Sequence, residues 1–249
     1  MKALAFALAV GTATITAAQA QDAPAFSGPE FENAVRDYLL ANPELLIEMQ
    51  SALETKRNAE VAERQVATLQ ERGDSIFRSP HDLVLGNPDG DVTVVEFYDY
   101  NCGVCRRALT DMQEIVEADP NVRFVLKEWP ILGPPSMEAH MVSRAVARVA
   151  RDRYGEFHLA MLGADERADG DTAMATVERM GIDTNAVQAA MNESETTGPL
   201  EDAYELAEAL GIGGTPSYVI GEEVLYGAVG VEALRERIEA ARNRETRTQ

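Results

Sequence analysis

Glu96-Phe97-Tyr98-Asp99-Tyr100-Asn101-Cys102-Gly103-Val104-Cys105 joins the end of a β-rich run to the start of a helical one, and it carries both cysteines of the chain. The run Val92 to Tyr98 is β-branched or aromatic except for Glu96 and follows the turn Asn87-Pro88-Asp89-Gly90, which is the pattern of a buried strand. Arg106 to Ala118 reads as a helix. After the turn Asp119-Pro120-Asn121, Val122 to Lys127 reads as a second strand, which makes a βαβ unit. Ser136 to Ala150, Tyr154 to Leu162, Thr172 to Met180, Thr184 to Met191 and Leu200 to Leu210 then form a nearly strand-free helical stretch. The β pattern returns at Ser217 to Ile220 and Glu223 to Tyr226, and a helix over about Val231 to Arg242 closes the chain. The expected class is α/β: a βαβ half and a ββα half separated by helices, with no internal repeat.

Upstream of this core the character differs. Met1 and Lys2 precede an uncharged, small-residue stretch, Ala3 to Ala18, and Ala18-Gln19-Ala20 has the small-x-small form of a cleavage site. Residues 1–20 are therefore expected to be an export signal. The stretch is too short and too weakly apolar to favour a membrane anchor. Over residues 21–73 the pattern is helical. Asn42 is expected as N-cap and Pro43 as the first residue of a second helix, with Gly73 as its C-cap. In that helix Leu45, Ala52, Ala59 and Val66 lie seven apart, with Ala62 and Leu69 on the intervening seam. The apolar stripe is too narrow to form a domain alone, so the arm either packs on its own domain or associates with copies of itself, the reading favoured here. Residues 74–82 read as a polar linker, 83–243 as the main domain with a helical insertion over about 136–210, and 244–249 as a polar tail.

The whole chain has 249 residues and a formal net charge of -20, with no basic block, so nucleic acid and anionic membranes are poor partners. Two cysteines exclude a disulfide-stapled small fold and a four-thiolate zinc site. The remaining uses of the pair are structural, metal-binding or redox. A disulfide closing so short a loop would contribute only about 2 kcal/mol, which a domain of this size scarcely needs. Zinc would need two more ligands, and His81, His140 and His158 lie far away in sequence and read as ordinary surface or helix residues. Two thiolates suit Cu(I), which is kept as an alternative. Redox chemistry is favoured: Cys102, at a strand-to-helix junction, faces unpaired backbone N–H groups that stabilise its thiolate, whereas Cys105, one turn on, faces the body of the fold and stays protonated. Cys102 is then the nucleophile and Cys105 the resolving thiol.

The segment Glu96 to Cys105, together with Gly213-Gly214-Thr215-Pro216-Ser217, resembles the DsbA-like thiol:disulfide oxidoreductases, a branch of the thioredoxin fold with a helical insertion. The resemblance covers about Leu83 to Arg242. The arm further resembles that of the suppressor-of-copper-sensitivity protein C type, in which such arms assemble oligomers with disulfide-isomerase activity. The resemblance implies that Pro216 is cis and lies beside the cysteines, with the Thr215 main chain free to pair with an extended substrate. It implies that Glu96 is a buried acid able to take the Cys105 proton and that Lys127 pairs with it; alternatively both face solvent as an edge salt bridge. Gly103-Val104 replaces an intervening pair that includes His, so the thiolate loses a stabiliser and the disulfide is expected to be less oxidising. The resemblance thus implies a periplasmic disulfide isomerase or reductant, without cofactor or metal. Its partners would be unfolded or misfolded exported proteins and a membrane redox partner, and it would form homo-oligomers through the arm. The competing reading is a non-enzymatic oligomeric chaperone or copper binder that uses the same thiols.

Overall fold

The computed structural model describes residues 28–248, so the expected export signal lies outside the described residues. The described residues up to Thr55 and those from Lys56 onward form two compact units. In the first, helix α1 (Pro29–Ala41) begins with Pro at its first position, a place where the missing N–H costs nothing. Asn42 ends this helix instead of starting the next: its backbone N–H and its side-chain amide both donate to the Tyr38 carbonyl, the latter at 2.7 Å. No residue of α1 is buried, and Tyr38, Leu40, Leu46 and Ile47 are each more than 60% exposed.

Helix α2 (Leu45–Phe77) runs past the expected stop at Gly73; Arg72 leaves helical geometry there, so the Gly marks a kink inside the helix. Part of the expected linker, residues 74–77, is therefore helical. Within the second unit α2 buries Leu69 and Ile76, which continue one seam of the seven-residue pattern.

The sheet of the second unit has the order β1-β3-β2-β4-β5. Its central strands β2 (Val92–Tyr98) and β3 (Val122–Glu128) are parallel, while β1 (Leu83–Gly86), β4 (Ser217–Ile220) and β5 (Glu223–Tyr226) pair antiparallel. Strand β1 was not legible in the sequence because its four residues Leu83-Val84-Leu85-Gly86 are too few, between the turns at Pro80-His81 and Asn87-Gly90, for alternation to mark them. It ends at Gly86, where φ is +78° and an added Cβ would meet the Val122 carbonyl oxygen at 2.6 Å.

Alternation along the strands makes two apolar layers. Val94, Tyr98, Phe124 and Leu126 face one, and Val95, Phe97, Val125 and Val219 face the other. The first is covered by α3 (Gly103–Ala118), α9 (Val231–Thr248) and the inserted helices α4 (Pro134–Val149), α5 (Tyr154–Leu162), α6 (Gly170–Arg179) and α7 (Thr184–Ala190). The second is covered by the end of α2 and by α8 (Ser194–Ala209). Each wholly buried Phe or Leu in these layers stabilises the fold by roughly 1.5–3 kcal/mol. The closing helix overruns its expected end at Arg242 and takes in most of the expected tail. The architecture is the thioredoxin-like fold with a helical insertion and an amino-terminal helical arm. Among the described residues no helix is long and apolar enough to cross a membrane.

Candidate active site

The site starts from the end of β2. The Asp99 carboxylate, fully buried, accepts the backbone N–H of Asn101 at 2.8 Å and that of Leu132 at 2.9 Å, while the Asp99 carbonyl accepts the Cys102 N–H at 3.0 Å. This turn delivers Cys102 as the N-cap of α3, with extended backbone. Its sulfur accepts the Cys105 backbone N–H at 3.1 Å and lies 3.3 Å from the Thr215 carbonyl oxygen, to which the thiol donates. Both cysteines are free thiols; Cys102 retains 6% exposure and Cys105 none.

These surroundings split the two thiols. The Cys102 thiol is pulled down to about 6, first by the hydrogen bond from the Cys105 thiol, then, against burial, by the Thr215 side chain and the Cys105 and Val104 backbone N–H groups. Burial, and then the hydrogen bond to Cys102, pushes the Cys105 thiol far up. Gly103 is exposed and Val104 packs on the first apolar layer, so no charged side chain stands between the sulfurs.

Thr215 and Pro216 precede β4, joined by a cis peptide bond. The Pro216 carbonyl accepts the Gly227 N–H at 2.9 Å, and Ser217 Oγ donates to the Gly214 carbonyl at 2.7 Å, which fixes this loop beside Cys102.

Glu96 is 3% exposed and points to the sheet face whose apolar layer includes Cys105 of α3. Its carboxyl is pushed up to about 8, first by burial, then by the neighbouring charges of Cys102 and Asp111. Tyr218 lies opposite it on β4.

The expected partnership between Glu96 and Lys127 does not form. In the register of β2 and β3, Glu96 faces Leu126 and Lys127 faces Phe97, so the two side chains leave opposite faces of the sheet. Neither do they make a solvated edge pair, since Lys127 is 4% exposed. Its ammonium lies 2.5 Å from Asp82 Oδ2 and donates to the Ser75 carbonyl at 2.5 Å. Lys127 is thus separated from the thiols by the sheet itself.

Two of the three histidines also depart from expectation, while His81 is exposed as read. His140 and His158 lie on helices as read, but both are wholly buried, and burial pulls His158 down to about 4. Sequence reasoning passed over Asp99, Tyr100 and Glu128, although the first two stand inside the quoted segment; a carboxylate three residues ahead of a helix-capping Cys was the available signal.

Residues 93–239 match the DSBA-like thioredoxin domain family, and residues 30–60 match the copper resistance protein ScsC N-terminal domain. A thioredoxin-like oxidoreductase from Silicibacter pomeroyi DSS-3 is 41% identical, with a TM-score of 0.66 over 68% of this chain and 97% of that one. ScsC of Proteus mirabilis is 28% identical, with a TM-score of 0.65 over 86% of this chain and 96% of that one. Among curated proteins, disulfide bond formation protein D of Bacillus subtilis is 24% identical over 63% of this chain and 75% of its own. The chain spans about a quarter of other curated relatives: it covers 24% of the Na(+)/H(+) antiporter NhaA 3 of Salinispora tropica, at 22% identity over 61% of this chain. The domain match extends over more than half of the sequence, from β2 through the cysteines and the Thr215-Pro216 loop into α9, and on it the chain belongs to the DSBA-like thioredoxin domain family.

Proposed function

We propose that this protein is an exported thiol:disulfide oxidoreductase that acts on folding proteins, with isomerase or reductant character. The observation that carries the reading is the divergence of the two thiols: a nucleophilic sulfur near 6 at a helix N-terminus, and a sealed, protonated one a turn behind it.

In the exchange, the Cys102 thiolate attacks one sulfur of a client disulfide. The client S–S bond breaks and a Cys102–client bond forms, while the second client sulfur leaves as a thiolate and is protonated. A thiolate has no hydrogen to give to Thr215, so that carbonyl is free to accept an N–H from an extended client. The attack also removes the charge that helped hold the Glu96 proton in place. Glu96 then ionises more readily and becomes the base for the Cys105 proton. Cys105 attacks the Cys102 sulfur, the first client sulfur departs as a thiol, and the protein is left oxidised by two electrons and the client reduced. If a client thiolate attacks the client sulfur first, a new client disulfide forms, Cys102 leaves as a thiolate, and Cys105 takes no part.

The uncharged Gly103-Val104 pair supports reshuffling over oxidation, because no cation between the sulfurs further stabilises the thiolate. The exposed apolar residues of α1 and early α2 support assembly of the arm with copies of itself, and the likeness to ScsC agrees with both. Export into an oxidising compartment agrees with the leader-like start of the sequence and with lasting use of a cysteine pair.

The reading is tested by brief alkylation of the reduced protein at neutral pH, which labels Cys102 before Cys105. In the same series Cys105→Ser accumulates mixed disulfides with a scrambled client, since attack proceeds and resolution does not. Preferential labelling of Cys105, or the absence of trapped client, sinks it.

A further inference from the structure

Tyr100, two residues ahead of Cys102, is held at both ends inside the protein. Its backbone N–H donates to His140 Nε2 at 3.2 Å, and its hydroxyl lies 2.8 Å from Ser143 Oγ. Both holders lean on one carboxylate: His140 Nδ1 is 2.6 Å from Glu128 Oε2, and Ser143 Oγ donates to Glu128 Oε1 at 3.0 Å. His140 and Ser143 are one turn apart on α4, and both are wholly buried. Glu128 ends β3 next to Tyr98, also accepts the Tyr154 hydroxyl, and lies 3.7 Å from Arg144. Burial pushes the Glu128 carboxyl up, but His140, Arg144 and Tyr154 more than offset this and hold it below its usual range. Also facing the cluster are Tyr98, whose hydroxyl donates to that of Tyr100 at 3.3 Å, His158 of α5, edge-on to Tyr98 at 4.8 Å, Arg151 over the Tyr154 ring, and Asp82, which feels the charges of Arg144 and Glu128.

A backbone N–H can donate only to a ring nitrogen that carries a lone pair. The Tyr100 contact therefore assigns His140 as the neutral tautomer, with its hydrogen on Nδ1 aimed at Glu128. In the turn that places Cys102, the N–H groups of Asn101 and Cys102 are taken up by Asp99, within the turn; that of Tyr100 is taken up from the insertion. The exchange steps above use none of His140, Ser143 or Glu128.

We propose that His140, backed by Glu128, is a positioning residue for Cys102: it anchors the Tyr100 main chain to the helical insertion and so fixes the turn that aims the Cys102 sulfur at the α3 N-terminus and Thr215. This rests on the reading of Cys102 as the nucleophile. If the anchor is lost, the turn loosens, the sulfur spends less time on its donors, and less thiolate forms at a given pH.

The experiment measures the alkylation rate of Cys102 against pH in the full reduced chain, with a small uncharged reagent and peptide-level quantification. The unsubstituted chain should show a midpoint near 6. His140→Asn keeps a donor close to the place of Nδ1 and removes the acceptor for Tyr100. Its midpoint should rise by about one unit, a tenfold loss of thiolate on the acid side. His140→Gln carries a carbonyl oxygen at the depth of Nε2 and should restore the midpoint to within about 0.3 unit. Ser143→Ala releases the phenol and removes one donor from Glu128 but leaves the Tyr100 main chain on His140, and should shift the midpoint upward by less.

A merely structural His140, there to compensate Glu128, would lower thermal stability and leave the midpoint alone. An unshifted His140→Asn, or equal shifts in the Asn and Gln variants, overturns the proposal. Should His140→Asn fail to fold, an unshifted Ser143→Ala overturns it as well. If the unsubstituted chain shows the midpoint of an ordinary free thiol, near 8.5, the exchange reading fails on that measurement alone and takes this proposal with it.

Discussion

At the scale of single residues, Glu96 and Cys102 make opposite contributions to stability as pH changes. The Cys102 thiol is lowered in the fold, so its contribution is full above the unfolded thiol range and is lost as pH falls through about 6. The Glu96 carboxyl is raised to about 8, so the fold bears a growing cost as pH climbs from the unfolded carboxyl range, and the full cost above about 8. Glu96→Gln removes that cost. The reduced variant should match the parent near pH 4 and be more stable by a few kcal/mol near pH 8, as read by denaturant unfolding at both values. Its resolution of a mixed disulfide should nevertheless be slower in single-turnover measurements, with Cys102 alkylation little changed, because the titrating base is gone. Equal stability at both pH values together with an unchanged resolution rate would show that Glu96 carries no buried proton.

At the scale of elements, the pairing of β2 with β3 decides what each ionisable side chain can do. Lys127 and Asp82 form a buried pair behind the sheet, which also ties down the Ser75 carbonyl at the end of α2. Lys127→Met should cost about 3–5 kcal/mol by leaving Asp82 buried without its cation, whereas Lys127→Met combined with Asp82→Asn should recover much of the loss, measured as a double-mutant cycle. Alkylation of Cys102 should not notice either change. The sequence showed the strand–helix–strand order, both hairpin strands and the cysteine junction because each rests on local pattern: alternation, turn residues and helix periodicity. It showed Glu96 as a carboxylate out of place in a core strand. It did not show the partner of Lys127, since which face a side chain takes depends on register, and register was unknown. Nor did it show the burial of His140 and His158: an amphipathic helix marks which of its faces is apolar, but a histidine among apolar neighbours is neutralised or paired only once β3 supplies Glu128 across the fold.

At the scale of the whole molecule, the arm divides its labour. Among the described residues up to Thr55 the apolar side chains are exposed, save the half-buried Leu45, while further along α2 Leu69 and Ile76 belong to the core of the second unit. A chain shortened to begin at Asp82 would strip those side chains, and the Ser75 carbonyl that Lys127 holds, from the domain. One beginning at Lys56 keeps them. That shorter chain should stay folded and keep insulin reduction. If the arm assembles copies, it should also lose mass by light scattering and lose most isomerisation of scrambled clients, because several Cys102 sites no longer surround one client. An unshortened mature chain that is monomeric at tens of micromolar would reduce the arm to packing alone.

The parity of the central strands also bears on how the protein tolerates change. The sheet behaves as a dielectric partition one residue thick, with a protonated acid and two thiols on one side and a neutralised ammonium on the other. Substitution within either compartment leaves this parity intact. A one-residue insertion or deletion within β3, however, would carry an ammonium to the thiol side and strand Asp82. Length along this strand is thus held by the chemistry as firmly as by the packing.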